Sequence, residues 1–232
     1  VQEPVTAHKA MRIGFISCSS PDDRRASSGT NYKIAKALGK IGEFCWIPVK
    51  APQYYRCMEL AAKALAKLCG KNLNFRYTRI GSKMLSGGVR TEKISSCDVL
   101  VAFWQGCTLG NIDTMGKPVV YLSDIIFPAM VGYYQNFSRL FKWNVRQRTE
   151  IGRRSLDKAS AIVLSSDWST ASAVNDLGRP CGKVYVWSSV QTLTRKTLCD
   201  PRFPTVAAST FFSWALSESA REAMWTLRQC VG

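Results

Sequence analysis

Apolar residues along this chain come in short unbroken runs, separated by longer stretches in which they recur every three or four positions. Met11–Cys18, followed by the polar run Ser19–Ser28, has the length and continuity of a strand buried on both faces. In Thr30–Ile41 the residues Ile34, Ala35, Ala37, Leu38 and Ile41 fall on one side of a helix. Glu43–Val49 reads as a second strand, the alanine- and lysine-rich Tyr54–Cys69 as a second helix, and Asn72–Tyr77 as a candidate third strand. Gly81 and Gly87-Gly88 argue against an uninterrupted helix over Ile80–Lys93.

The second half alternates more plainly. Asp98–Phe103 (DVLVAF) and Pro118–Leu122 (PVVYL) read as strands joined by a glycine-punctuated connection. Trp143–Ala159 is helical in character, Ala161–Ser165 (AIVLS) is a strand, Asp167–Leu177 a helix closed by Gly178, and Lys183–Trp187 the last strand. Strands alternating with helices predict an α/β fold, a Rossmann-like parallel sheet with helices on both faces. Ser188–Gly232 loses that alternation, although Ala215–Leu227 can form a helix.

Composition narrows the function classes. At 232 residues, 46% hydrophobic, the chain can bury one proper core. No run reaches the roughly 18–20 apolar residues that span a bilayer. Residues 1–10 precede Met11, carry no signal-peptide core, and read as a leader or upstream extension. The nine cysteines are scattered singly, as expected of reduced thiols in a cytoplasmic protein. His8 is the sole histidine and lies in that leader, which argues against a metal site and against Ser-His-Asp or Cys-His catalysis in the body of the chain. The net charge of +16 favours anionic partners. A solvated basic surface is its first explanation, peripheral contact with the inner face of a membrane the second, and nucleic acid the last.

Candidate chemistry collects where strands end. Ser27-Ser28-Gly29-Thr30 precedes a helix, whose first N–H groups attract anions and which Thr30 can cap. The simpler alternative is an ordinary turn. Neither a GxGxxG fingerprint nor a P-loop is present. Asp124 follows the PVVYL strand and so belongs to the carboxyl edge of the sheet, as a ligand contact or as a turn aspartate. Ser166, after AIVLS, occupies the same edge and has helix capping as its default role. Arg146, Arg148, Arg153 and Arg154 read as a mostly solvated helix surface from which one arginine can face the cleft.

In order, MRIGFIS with SSGTNYKIAKAL, PVVYLSDIIFPAM, and RRSLDKASAIVLSSDWSTASAV leading into GKVYV resemble the amino-terminal, acceptor-side domain of group 1 retaining glycosyltransferases of the GT-B fold. The resemblance covers about Met11–Trp187. It implies transfer of a sugar from a nucleotide-sugar to a glycan or lipid-linked acceptor with retention of configuration, and no dedicated cofactor. By match, Gly29 and Thr30 take the donor/acceptor loop and Asp124 the acidic position after the strand, where it is the candidate catalytic residue; Ser28, Arg146 and Ser166 are further candidate donor/acceptor contacts. Many members have a histidine just before that position; here the neighbour is Ser123. The family's second, donor-binding domain has no counterpart in Ser188–Gly232, and no Glu-x7-Glu pair occurs, so this chain is expected to be inactive alone. A non-enzymatic half-protein or interaction module, or another Rossmann-type nucleotide-binding protein, remains the alternative.

Reverse translation of the tail gives the truncation a specific form. When each codon's third base is joined to the next codon's first two, Trp187–Thr192 can encode EFGAN and Leu216–Ala223 can encode ERERKGG. Both resemble segments that follow the VYV strand in the family, which points to a frameshift near Trp187 and an out-of-frame tail over residues 188–232. Sequencing the coding DNA checks this: the shifted frame is expected to stay open past Gly232, and immediate stop codons would remove the idea.

Overall fold

The computed structural model describes residues 11–188, except positions 132, 135 and 136, together with the backbone of Val206–Ala207. The expected leader over residues 1–10, the out-of-frame reading of the tail and the Ala215–Leu227 helix lie outside the described residues. The elements run β1 (Arg12–Ser17), α1 (Thr30–Ile41), β2 (Glu43–Pro48), α2 (Tyr55–Leu68), α3 (Arg79–Ser86) and α4 (Thr91–Ser95). There follow β3 (Val99–Phe103), β4 (Val119–Ser123), α5 (Phe127–Met130), α6 (Lys142–Asp157), β5 (Ala161–Leu164), α7 (Asp167–Asn175), β6 (Val184–Ser188) and the two-residue β7 (Val206–Ala207).

Among the described residues every strand pairs with its neighbours in parallel, in the order β2-β1-β3-β4-β5-β6-β7. The chain steps outward once, from β1 to β2, then reverses and adds every later strand on the other side. Right-handed crossovers put connections of opposite direction on opposite faces. α1 therefore packs on one face, where Ile34 and Leu38 meet Ile13, Phe15, Val101 and Phe103. α2, α3, α4, α6 and α7 supply Tyr55, Leu85, Ile94, Leu156 and Ala173 to the other, around Ile16, Ile47, Leu100 and Tyr121. Helices thus cover both faces, but unequally.

The unbroken apolar runs are explained by this double cover. Val99–Phe103 is buried at all five positions, its side chains divided between the two cores. Each such fully buried aliphatic or aromatic side chain contributes roughly 1.5–3 kcal/mol.

Asn72–Tyr77 is not a strand. Asn72 makes one isolated parallel bridge to Leu140, and Phe75–Tyr77 is a 3-10 turn. The reason is a side chain that replaces a neighbouring strand. Asn144, fully buried on α6, accepts from the Asn74 N–H at 3.0 Å and donates to the Asn74 carbonyl at 3.3 Å. Phe75 meanwhile packs into the core 5.4 Å from Tyr55. Ile80–Lys93 is indeed interrupted, splitting into α3 and α4 at Gly87-Gly88. A Cβ on Gly88 would fall 1.7 Å from the Lys50 carbonyl oxygen, so that crossing requires glycine.

Gly14 in the middle of β1 has a comparable constraint from side chains. A Cβ there would lie 2.8–2.9 Å from Ile47, Leu100 and Cys97. Gly14→Ala is expected to destabilise the protein by about 1–3 kcal/mol through overpacking, read as a lower urea midpoint with unchanged slope.

Candidate functional site

Parallel strands finish at one edge, and side chains from four strand ends gather in a row along it. Cys18, after β1, donates its thiol to Gln105 Oε1 at 3.8 Å, and Gln105 Nε2 donates to the Phe103 carbonyl at 3.0 Å at the end of β3. Trp104, the residue following β3, and Asp124, the residue following β4, line the same cavity, with Trp104 near enough to favour the charged Asp124 carboxylate. Ser165, after β5, donates to the Asp124 carbonyl oxygen at 2.9 Å. Trp104 holds a left-handed backbone, φ 53°. A non-glycine residue in that region costs about 1–3 kcal/mol, which its stacking on Phe103 at 4.6 Å helps to offset.

Beside this row lies a cavity of about 440 Å³, lined among others by Arg76, Trp104, Tyr121, Asp124, Phe127 and Arg148. That volume is within the range of small-molecule sites. Its most unusual wall is Arg148, which is 4% exposed. The guanidinium carbon stands 4.2 Å from the Tyr77 ring centroid, 4.1 Å from Phe127 and 4.6 Å from Phe137. Nη2 reaches only the weak acceptor Met130 Sδ, at 3.7 Å, while Nε and Nη1 are buried without a partner. Among the described residues no carboxylate oxygen lies within 4.0 Å of Arg148 or Arg76. Arg76 donates instead to the Cys18 thiol, at 3.2 Å.

Magnitudes show why this matters. Burying an unpaired ion costs several kcal/mol, and each desolvated cation–π contact returns about 2 kcal/mol. The aromatic cage therefore offsets much of the charge penalty. It does nothing for the orphaned N–H groups, each worth about 1–3 kcal/mol. Burial pushes the Arg148 pKa down from its ordinary value, yet a guanidinium stays charged at physiological pH. Burial also pushes the Tyr121 pKa up, to about 12, so that wall is a neutral phenol.

The residues anticipated from sequence fare differently. Ser28 and Gly29 close the 3-10 turn Ala26–Gly29, and Gly29 takes the left-handed conformation, φ 79°. Thr30 is not the cap of α1. Gly29 holds that position, and the Thr30 N–H is spent on the Ser27 carbonyl, because the turn runs straight into the helix. Ser166 caps α7, its hydroxyl accepting from the Ser169 N–H at 3.2 Å. Neither Thr30 nor Ser166 lines the cavity. Asp124 does, at the expected edge.

Arg146 is exposed and also absent from the walls; its neighbour Arg148 occupies the position expected of a cleft-facing arginine. Two residues advance a helix by about 200°, which places the two side chains on opposite faces. The signal was in the spacing: Asn144, Arg148, Ile151 and Ser155, all buried, lie along a single stripe of α6. Reading α6 as a charged surface missed it. Trp104 and Arg76 carried no sequence signal, since a loop conformation brings each to the edge.

Among the described residues no group of three or more His, Cys, Asp or Glu side chains could hold a metal ion. The seven described cysteines are free thiols. No described helix is long and apolar enough to cross a membrane. No protein-family model matches the chain, and no curated protein matches it either.

Asp124 gives a pH signature. Loss of hydration raises its pKa above the ordinary 3.8, against the opposing effect of Trp104 nearby. A carboxyl that binds its proton more tightly when folded loses stability as pH rises from the ordinary value through the raised one. Wild type is therefore expected to weaken relative to Asp124→Asn across that window, with the gap closing at lower pH. Urea midpoints of both proteins from acid to neutral pH measure it, and a gap independent of pH would contradict a raised pKa.

Proposed function

We propose that the chain is the acceptor-side half of a retaining glycosyltransferase, moving a sugar from a nucleotide-sugar to a glycan or lipid-linked acceptor once a donor-binding domain faces it. The observation that carries this reading is the cluster of residues from successive strand ends at the carboxyl edge. Cys18, Gln105, Trp104, Asp124 and Ser165 follow four consecutive strands of the sheet, and Trp104 and Asp124 among them line a ligand-sized cavity. Open parallel sheets bind ligands in that location. The strand order reverses between β1 and β3, and the Gly29 turn leaves β1 at that same reversal.

The chemistry available here suits positioning more than bond-breaking. Asp124 can accept a hydrogen bond from an acceptor hydroxyl, with Trp104 on the same cavity wall offering a half-exposed indole face to a sugar ring. Stabilisation of a departing nucleoside diphosphate needs donors aimed at its phosphates, and that role falls to a donor-binding domain. The high positive charge is compatible with work at the anionic inner surface of a membrane.

Two measurements test the proposal. The isolated chain, given pooled nucleotide-sugars and candidate acceptors, is expected to show negligible transfer, while saturation-transfer NMR detects saccharide binding. Asp124→Ala is expected to weaken that binding by about tenfold, equivalent to one charge-assisted hydrogen bond. Tight binding of NAD with no saccharide binding would sink the reading in favour of another nucleotide-binding enzyme.

A further inference from the structure

The cavity walls contain two guanidinium groups, Arg76 and Arg148, and one carboxylate, Asp124. Neither arginine has a carboxylate, Asp124 included, within 4.0 Å among the described residues. The two arginines are close enough for Arg76 to disfavour the charge on Arg148. Two unpaired like charges around one partly dehydrated space are unfavourable in the empty protein, and an anion entering it relieves both at once. The remaining walls are mostly aromatic and apolar, including Tyr121, Phe127, Phe137 and Leu156; Asn74, Ser123 and Thr149 add neutral polar groups, and none offers a counter-charge. They suit the uncharged body of a small molecule.

We infer that this cavity binds a small anionic ligand, a phosphate- or carboxylate-bearing compound about the size of a sugar phosphate. Arg76 and Arg148 hold the anion, and the aromatic walls receive the rest. A cavity of about 440 Å³ accommodates such a compound and excludes a folded macromolecule. The caged Arg148 is preorganised for the task. Tyr77, Phe127 and Phe137 fix its plane, so little side-chain freedom is lost on binding, and its unpartnered N–H groups are the donors to be satisfied. The inference rests on the acceptor-side reading of this cleft only for the saccharide nature of the ligand's body. The requirement for an anion stands on the two arginines.

Isothermal titration of the full chain with inorganic phosphate, glucose 6-phosphate, glucuronate and glucose tests it. Glucose 6-phosphate or glucuronate is expected to bind saturably at one site per chain, at least about tenfold tighter than glucose; the tighter of the two identifies the charged group. Arg148→Met fills the cage without charge and is expected to lower that affinity about tenfold or more, as is Arg76→Met. Arg146→Met, on the opposite face of α6, leaves it unchanged and controls for the general basicity of the protein. Should Arg148→Met fail to fold, Arg76→Met and the wild-type preference over glucose carry the test. Equal affinity for charged and uncharged sugars, no saturable binding of any probe, or anion binding undiminished by the arginine substitutions would overturn the inference. Anion binding by a chain that binds no neutral saccharide leaves this site standing and removes the transferase reading. Neutral-saccharide binding lost in Asp124→Ala, with no preference for anions, does the reverse.

Discussion

Pairing every described strand in the same direction is the constraint on which the rest of this molecule depends. A parallel ladder must bury both faces, since each crossover lays a helix or loop against the sheet. It also sends every strand's carboxyl end to one edge. The edge then carries Cys18, Trp104, Asp124 and Ser165 side by side although more than a hundred positions separate the first from the last in the chain. Nothing local in the sequence could gather them.

The single reversal in strand order has a second consequence. Because only β2 lies beyond β1, α1 is the one described helix whose side chains join the core on its face, while five helices contribute to the other. The crowded face is where α6 passes Phe75, Asn74 and the loop after β3. Asn144 there closes the backbone of the segment after α2, and Ser155 donates to the Gly106 carbonyl at 3.0 Å while accepting from the Gly110 N–H at 2.9 Å. One stripe of α6 thus fixes two loops and supplies the cavity's buried cation. Structure and candidate site share the same residues.

Asp124 and Arg148 illustrate opposite uses of burial. The carboxylate reaches solvent beside Trp104, whose backbone is left-handed. The guanidinium is enclosed by three rings and lacks a counter-ion. Packing energy elsewhere in the core, from side chains such as Phe15, Ile47 and Leu100, must offset what these two groups cost. Departures of this kind from ordinary burial rules concentrate at functional sites.

Local pattern was enough for the strands and most helices, because a continuous apolar run has one stable home, between two covered faces, and a three-to-four spacing has another. Hence β1, α1, β3, β4 and β5 follow directly from Met11–Cys18, Thr30–Ile41, DVLVAF, PVVYL and AIVLS. The parallel arrangement and the edge position of Asp124 followed from their alternation. The failures have physical causes. Asn72–Tyr77 has strand-like residues, but Asn144, seventy positions away, took the place of a neighbouring strand. Arg146 and Arg148 are equivalent as residue types, and only the rotation of α6 against the sheet decided which is solvated and which is caged. The charge of an arginine is a property of the sequence; whether anything pairs with that charge is set by three-dimensional packing.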